Sequence, residues 1–167
     1  MDRSVGLPLV ARRDARLLVL GTLPGVAALT QRQYYAHRQN SFWKIMGALI
    51  GFSPDLPYER RLALVTDRGV AIWNVLAEAE RRGSVDANIR SPAPNDFAPF
   101  FAAHGDVRLI CFNGREAQTL FKRLVRPALP EQAAALPSAV LPSTSPTHAR
   151  MRFDEKLARW REAFTSA

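Results

Sequence analysis

The chain has 167 residues, 47% of them apolar, which suits one domain around one core and argues against disorder. Its 23 Lys and Arg outnumber 15 Asp and Glu, and the net charge of +8 favours a polyanionic partner such as nucleic acid. Cys111 is the only cysteine, so a disulfide within the chain and a cysteine-ligated cluster or zinc site are excluded. His37, His104 and His148 show no metal-ligand spacing, and neither a metal nor another cofactor is expected. The N-terminus lacks the apolar stretch of a signal peptide, and no run of 18 apolar residues occurs that could span a bilayer. The expectation is a monomer in the cytoplasm with no membrane partner.

In chain order, Leu17–Leu20 is a short apolar run ended by Gly21, the pattern of a buried parallel strand. Ser41 can cap a helix from Phe42 to Ile50, which Gly51 ends. Tyr58 to Asp67 reads as a second helix and Val70 to Trp73 as a second strand. Ala77 to Arg82 looks like a helical fragment closed at Gly83, and Arg90 to Pro94, with two prolines, like a loop. Asn95 can cap a helix from Asp96 to His104 that carries Phe97, Phe100 and Phe101. Val107 to Phe112 is the third strand, closed by Asn113-Gly114. A helix comes next, from Arg115 to Val125, with Ala117, Leu120, Phe121 and Leu124 as its stripe. Pro127 to Pro137 is a loop or weak helix, and Ala139 to Leu141 a fourth strand. The last helix begins at Thr147 or His148, with a stripe of Phe153, Leu157, Trp160 and Phe164. Strands alternating with helices imply one α/β domain over residues 1–167, a parallel sheet between helices. Ligands of such sheets bind beyond the carboxyl ends of the strands, so the places to search begin at Gly21, Trp73, Asn113 and Pro142.

Four segments at those places could carry chemistry. Gly21-Thr22-Leu23-Pro24-Gly25 is a tight turn whose backbone can approach a ligand, or an ordinary strand-to-loop turn. Its glycine spacing is not that of a dinucleotide fingerprint, and no Gly-Lys-Ser/Thr follows to cradle phosphates. Residues 33–43 concentrate aromatic, amide and basic side chains. Tyr34, Tyr35 and Phe42 could stack on an unpaired base, Arg38 could hold a phosphate, and Asn40 could position a water. Trp43 and Ile45 read instead as core. Asn113 is either a plain Asn-Gly turn residue or an amide that reads a lactam edge, accepting its N–H and donating to its carbonyl. Ser143, Thr144 and Ser145 lie in a proline-stiffened loop ahead of a helix N-terminus and, with His148 and Arg150, suit a phosphate backbone or simply cap the helix. Ser145 is no hydrolase nucleophile, because no nucleophile elbow surrounds it.

Together the segments at 20–25, 34–43, 69–76, 112–114 and 141–146 resemble the uracil-DNA glycosylase superfamily, and most of all its hypoxanthine (deoxyinosine) branch. The resemblance implies a three-layer α/β/α sandwich with a short central parallel four-stranded sheet. It also implies a metal-free, base-flipping hydrolase acting on double- or single-stranded DNA that holds a deaminated base. In the superfamily the first turn usually carries an Asp or Asn that aligns the attacking water; here that place is Leu23. The hypoxanthine branch uses an Asn of the second segment instead, by position Asn40. The last motif usually supplies a His that stabilises the leaving base, and its place is Leu141. The implied function is a monofunctional DNA glycosylase of base excision repair. Gly21, Thr22, Leu23, Pro24, Tyr34, Tyr35, Phe42 and Asn113 would bind the base and Asn40 would be catalytic. Lys44, Lys122 and Lys156 lie outside these loops, which argues against a Schiff-base lyase step. The alternatives are a uracil or mismatch-type glycosylase, a silent lesion-binding module, and a small-molecule nucleotide-binding protein.

Overall fold

The structure is a computed structural model that describes residues 3–148 and 150–167. Four strands form a parallel sheet: β2 (Leu17–Gly21), β3 (Val70–Asn74), β6 (Leu109–Asn113) and β7 (Ser138–Leu141), in the order β3-β2-β6-β7. Side chains alternate across a strand, so each β residue chooses one of two faces. Leu18, Leu20, Ala71, Ile110 and Phe112 join one core with Phe97 and Phe100 of α4 (Phe97–Ala103) and Leu120 and Phe121 of α5 (Arg115–Leu124). Leu17, Val19, Val70, Ile72 and Cys111 face the other way. There they meet α2 (Phe42–Ile50), α3 (Tyr58–Asp67) and α7 (Phe153–Thr165). Two helical layers enclosing one parallel sheet make the expected α/β/α sandwich, and cover on both faces explains why β2 and β3 begin as continuous apolar runs.

A second sheet has no counterpart among the elements expected from the sequence. β1 (Arg3–Val5), β4 (Leu76–Glu80) and β5 (Arg90–Pro94) form an antiparallel sheet in the order β1-β4-β5. The expected helical fragment at 77–82 is therefore mostly strand, and the expected loop at 90–94 is a strand too. Ala and Glu favour helix locally, but pairing with β1 overrides that preference. Arg3 reaches Glu78 and Glu80 of β4 at 3.3 and 4.0 Å. Pro92 and Pro94 are tolerated because β5 is an edge strand with an irregular register.

Other differences are local. A short helix, α1 (Val26–Gln31), follows the first turn, and α6 (Glu131–Ala134) occupies part of the 127–137 stretch. Helix α4 starts at Phe97 without a side-chain cap; Asn95 instead donates from Nδ2 to the Asn74 carbonyl at 2.9 Å. Helix α7 starts at Phe153, not at 147–148, so the 142–148 loop does not lead directly into its N-terminus. Phe153 is exposed, and the buried face of α7 includes Lys156, Trp160 and Ala163. Among the described residues no helix is long and apolar enough to cross a membrane.

Candidate active site at the carboxyl edge of the sheet

Strand register places Gly21 beside Asn74, and Asn113 beside Leu141, with Leu20 paired to Phe112. Three strand ends therefore bring Gly21, Asn74 and Asn113 to one edge, where a cleft of about 430 Å³ opens. That size lies within the range of about 300–1,000 Å³ typical of ligand pockets. A smaller cavity of about 210 Å³ lies at the opposite edge, against Leu17 and Val70. Tyr34, Tyr35, Asn40, Ser143, Thr144, Ser145 and the 21–25 turn also line the larger cleft. Phe42, Arg38, His148 and Arg150 do not.

The cleft floor is built around Gly21. A Cβ there would meet Asn74 Nδ2 at 3.0 Å and the Tyr35 hydroxyl at 3.2 Å, closer than side chains normally sit. Two buried polar atoms at this point, the Tyr35 hydroxyl and Asn74 Oδ1, have no hydrogen-bond partner among the described residues. Such atoms cost free energy unless a ligand or water satisfies them. Burial pushes the Tyr35 phenol up to about 12, partly opposed by the nearby Asn113 amide, so its hydroxyl stays protonated at neutral pH. Tyr35 adopts a left-handed backbone, φ 57°, a conformation that strains a non-glycine residue by about 1 kcal/mol. Its ring stacks on Phe42 at 4.0 Å, 25° from parallel.

Phe42 is fully buried behind Tyr35, so it backs the stacking ring and does not reach the cleft. Tyr34 is also structural in its polar group: its hydroxyl donates to the carbonyls of Leu7 and Pro8. The Tyr34 carbonyl accepts from Trp43 Nε1 at 2.9 Å. Asn40 Oδ1 accepts the Phe42 N–H at 3.0 Å and so performs the capping of α2 expected of Ser41, whose hydroxyl makes no cap. An amide oxygen has a second lone pair, which leaves Asn40 able to hold a water.

Asn113 is more constrained than its turn position implies. Its Oδ1 accepts the Thr144 N–H at 3.0 Å and its Nδ2 donates to Thr144 Oγ1 at 2.9 Å. Thr144 is 1% exposed, and its carbonyl accepts the Ser41 N–H at 3.0 Å. It therefore ties three segments together and is not on a surface that phosphates could touch. Ser143 and Ser145 serve the same loop, with Ser143 Oγ accepting the Ser145 N–H at 3.2 Å and Ser145 Oγ bonded to Thr147 Oγ1 at 2.8 Å. Lys156 approaches this loop from α7: its Nζ, largely buried, donates to the His148 carbonyl at 2.7 Å. Leu23 and Leu141 are both buried core residues, and neither offers a polar group to the cleft from its side chain.

Residues 84–87, which no sequence motif marked, line the cleft beside the first turn. Asp86 Oδ1 accepts from the Thr22 hydroxyl at 2.9 Å and from Arg81 Nη1 at 3.4 Å. The Arg81 guanidinium, 1% exposed, also donates to the carbonyls of Leu23, Pro24 and Gly83. Burial raises the Asp86 carboxyl above its ordinary range and lowers Arg81, and their mutual attraction opposes both shifts. Asn74 was missed as well; a polar residue ending an apolar strand, at an edge where ligands bind, was the available signal. For Asp86 and Arg81 the sequence offers no comparable signal. Among the described residues no group of three His, Cys, Asp or Glu side chains could hold a metal ion.

Comparison with known proteins agrees with this geometry. The family model described as the uracil DNA glycosylase superfamily matches residues 8–165. A protein of Methanosarcina acetivorans named hypoxanthine DNA glycosylase is 31% identical over 95% of this chain and 96% of its own. One of Methanosarcina barkeri with the same name is 28% identical over 97% and 98%. The solution NMR structure of a candidate uracil DNA glycosylase from Methanosarcina acetivorans superposes with a TM-score of 0.83. It is 30% identical, covering 99% of this chain and 98% of that one. With a matching fold, a cleft at the same sheet edge that the motifs mark, and a family match over nearly its whole length, the chain belongs to the uracil DNA glycosylase superfamily.

Proposed function

We propose that the protein is a monofunctional DNA glycosylase that removes hypoxanthine from deoxyinosine in DNA. The observation that carries this reading is the unpartnered pair at the cleft floor, the Tyr35 hydroxyl and Asn74 Oδ1. One is a donor and the other an acceptor, which is the complement of a lactam edge, a carbonyl beside a ring N–H. Hypoxanthine and uracil both carry that edge where adenine carries an amine beside a bare ring nitrogen, so adenine would set acceptor against acceptor at Asn74. The names of the two Methanosarcina relatives support the choice of hypoxanthine. Asn113, with its amide engaged by Thr144, frames the floor, and Asn74 reads the base.

A base in a duplex is out of reach, so it must leave the stack to enter this cleft. Once inside, it stacks on the face of Tyr35 that Phe42 does not cover. The C1′–N bond breaks with its electron pair leaving on the base, and positive charge grows on the sugar. A water held by Asn40 adds its oxygen to C1′ and loses one proton to solvent, while the base takes one up at its ring nitrogen. The cationic sugar makes a strong base unnecessary, which suits an amide in that role. Exposed Arg38, His148 and Arg150 and the net charge of +8 supply attraction for the phosphate backbone.

The test is a panel of oligonucleotides, each holding a single hypoxanthine, uracil or xanthine, in single and double strands, read for abasic product. Hypoxanthine should be released fastest. Preferential release of uracil would replace this reading with the uracil-type alternative, and tight lesion binding without product would replace it with a silent module.

A further inference from the structure

The clasp on the cleft wall places a charge that the reaction can use, and its use there rests on the glycosylase reading. Asp86 lines the cleft beside the first turn, where the hydroxyl of Thr22, next to Gly21 of the floor, donates to it at 2.9 Å. Its side chain is 38% exposed and lines the cleft. An anion there offers DNA phosphates no attraction, and Arg81 offsets part of its repulsion, so binding does not account for its position. The 21–25 turn, which lines the cleft, carries Leu23 and no carboxylate, and its Leu23 and Pro24 carbonyls accept from Arg81. Arg81 is buried deeper than Asp86, so it anchors one oxygen of the carboxylate from behind.

We propose that Asp86 is a catalytic residue of this site, an ionised carboxylate on the cleft wall that stabilises the positive charge developing on the sugar. It moves no proton and forms no bond. Preorganised charge acts on the transition state more than on the bound substrate, so the residue lowers the barrier without contributing to binding. Asp86→Asn separates this role from that of the clasp, because the amide oxygen still accepts from Thr22 and Arg81 while the charge is gone.

The experiment measures single-turnover cleavage and equilibrium binding of hypoxanthine-containing DNA by the parent and by Asp86→Asn, Asp86→Glu and Asp86→Ala, with thermal unfolding of each. Asp86→Asn should cleave about 10–100-fold more slowly, the size expected of one electrostatic contact to a transition state, and bind the DNA as tightly as the parent or more tightly. Parent-like cleavage by Asp86→Asn overturns the proposal. So does a loss of cleavage and of binding together, the signature of a clasp alone. If Asp86→Asn unfolds at the assay temperature, the other two variants decide: both disturb the clasp, and only Asp86→Glu keeps the charge. Glu cleaving much faster than Ala supports the proposal, and equal rates overturn it. A parent that cleaves none of the oligonucleotide panel removes the glycosylase reading and this inference together, whereas a parent that cleaves beside an equally active Asp86→Asn removes the inference alone.

Discussion

The bond pair between Asn113 and Thr144 permits a quantitative test of whether Asn113 is a structural lock. Asn113→Ala removes both hydrogen bonds, of 3.0 and 2.9 Å, and strands the Thr144 N–H and hydroxyl in a place 1% exposed. Each lost bond is worth about 0.5–1.5 kcal/mol net, and a stranded buried donor adds about 1–3 kcal/mol. The expected loss is about 2–4 kcal/mol, or about 5–15 °C in Tm for a domain of this size. Thr144→Val keeps the backbone N–H bond and leaves only Asn113 Nδ2 unpaired, for about 1–2 kcal/mol. After Asn113→Ala the Thr144 hydroxyl is already without its partner, so adding Thr144→Val should cost little more. The double-mutant cycle should show a coupling of about 1–2 kcal/mol, well above the about 0.5 kcal/mol scatter of independent sites. Urea unfolding followed by circular dichroism measures it. Additive losses, or an Asn113→Ala variant with the parent's midpoint, would refute the lock and return Asn113 to the base.

Asn40→Ala should cut single-turnover cleavage by about 10²-fold or more, equal to about 2.7 kcal/mol, and also cost about 1 kcal/mol of stability through the lost bond to the Phe42 N–H. Near-parent cleavage would remove Asn40 from the mechanism. Gly21→Ala puts a methyl within 3.0–3.2 Å of Asn74 and the Tyr35 hydroxyl. Cleavage should fall at least about tenfold, by blocking the floor, while Tm moves by only a few degrees; assays of both on one preparation check it. The affinity for lesion DNA should fall linearly on a log scale as salt rises, because phosphate contacts release counterions, and a salt-independent affinity would exclude a DNA substrate.

Much of the candidate site was legible because it lies on short stretches of chain. Gly21, Asn40 and Asn113 follow directly on apolar runs or precede helix starts, and the sheet register then collects strand ends that the pattern of runs had already marked. Roles within those stretches were harder to read. Tyr34 and Tyr35 are adjacent and chemically alike, yet one spends its hydroxyl on the carbonyls of Leu7 and Pro8 and the other points its own at the cleft floor. Tyr35 also takes a left-handed backbone, which no local propensity of tyrosine specifies.

The central sheet and its helical cover were written in the order of the amino acids. Residues such as Leu17 to Leu20 are apolar on both faces, and only a parallel strand covered on both sides buries them all. Helix α2 was equally plain, because Gly51, at φ 97°, takes the left-handed turn that ends it. The second sheet came only with the folded chain. Ala77–Arg82 reads as helix until Arg3–Val5, distant in sequence, and the nearby Arg90–Pro94 come to pair with Leu76–Glu80. The same distance hid the clasp. Asp86 and Arg81 gain their meaning from Thr22, Leu23 and Pro24, which lie 57–64 residues away. Periodicity reports how a residue faces its own element, whereas hydrogen bonds between loops depend on where strand register brings those loops, and that is settled only when the chain has folded.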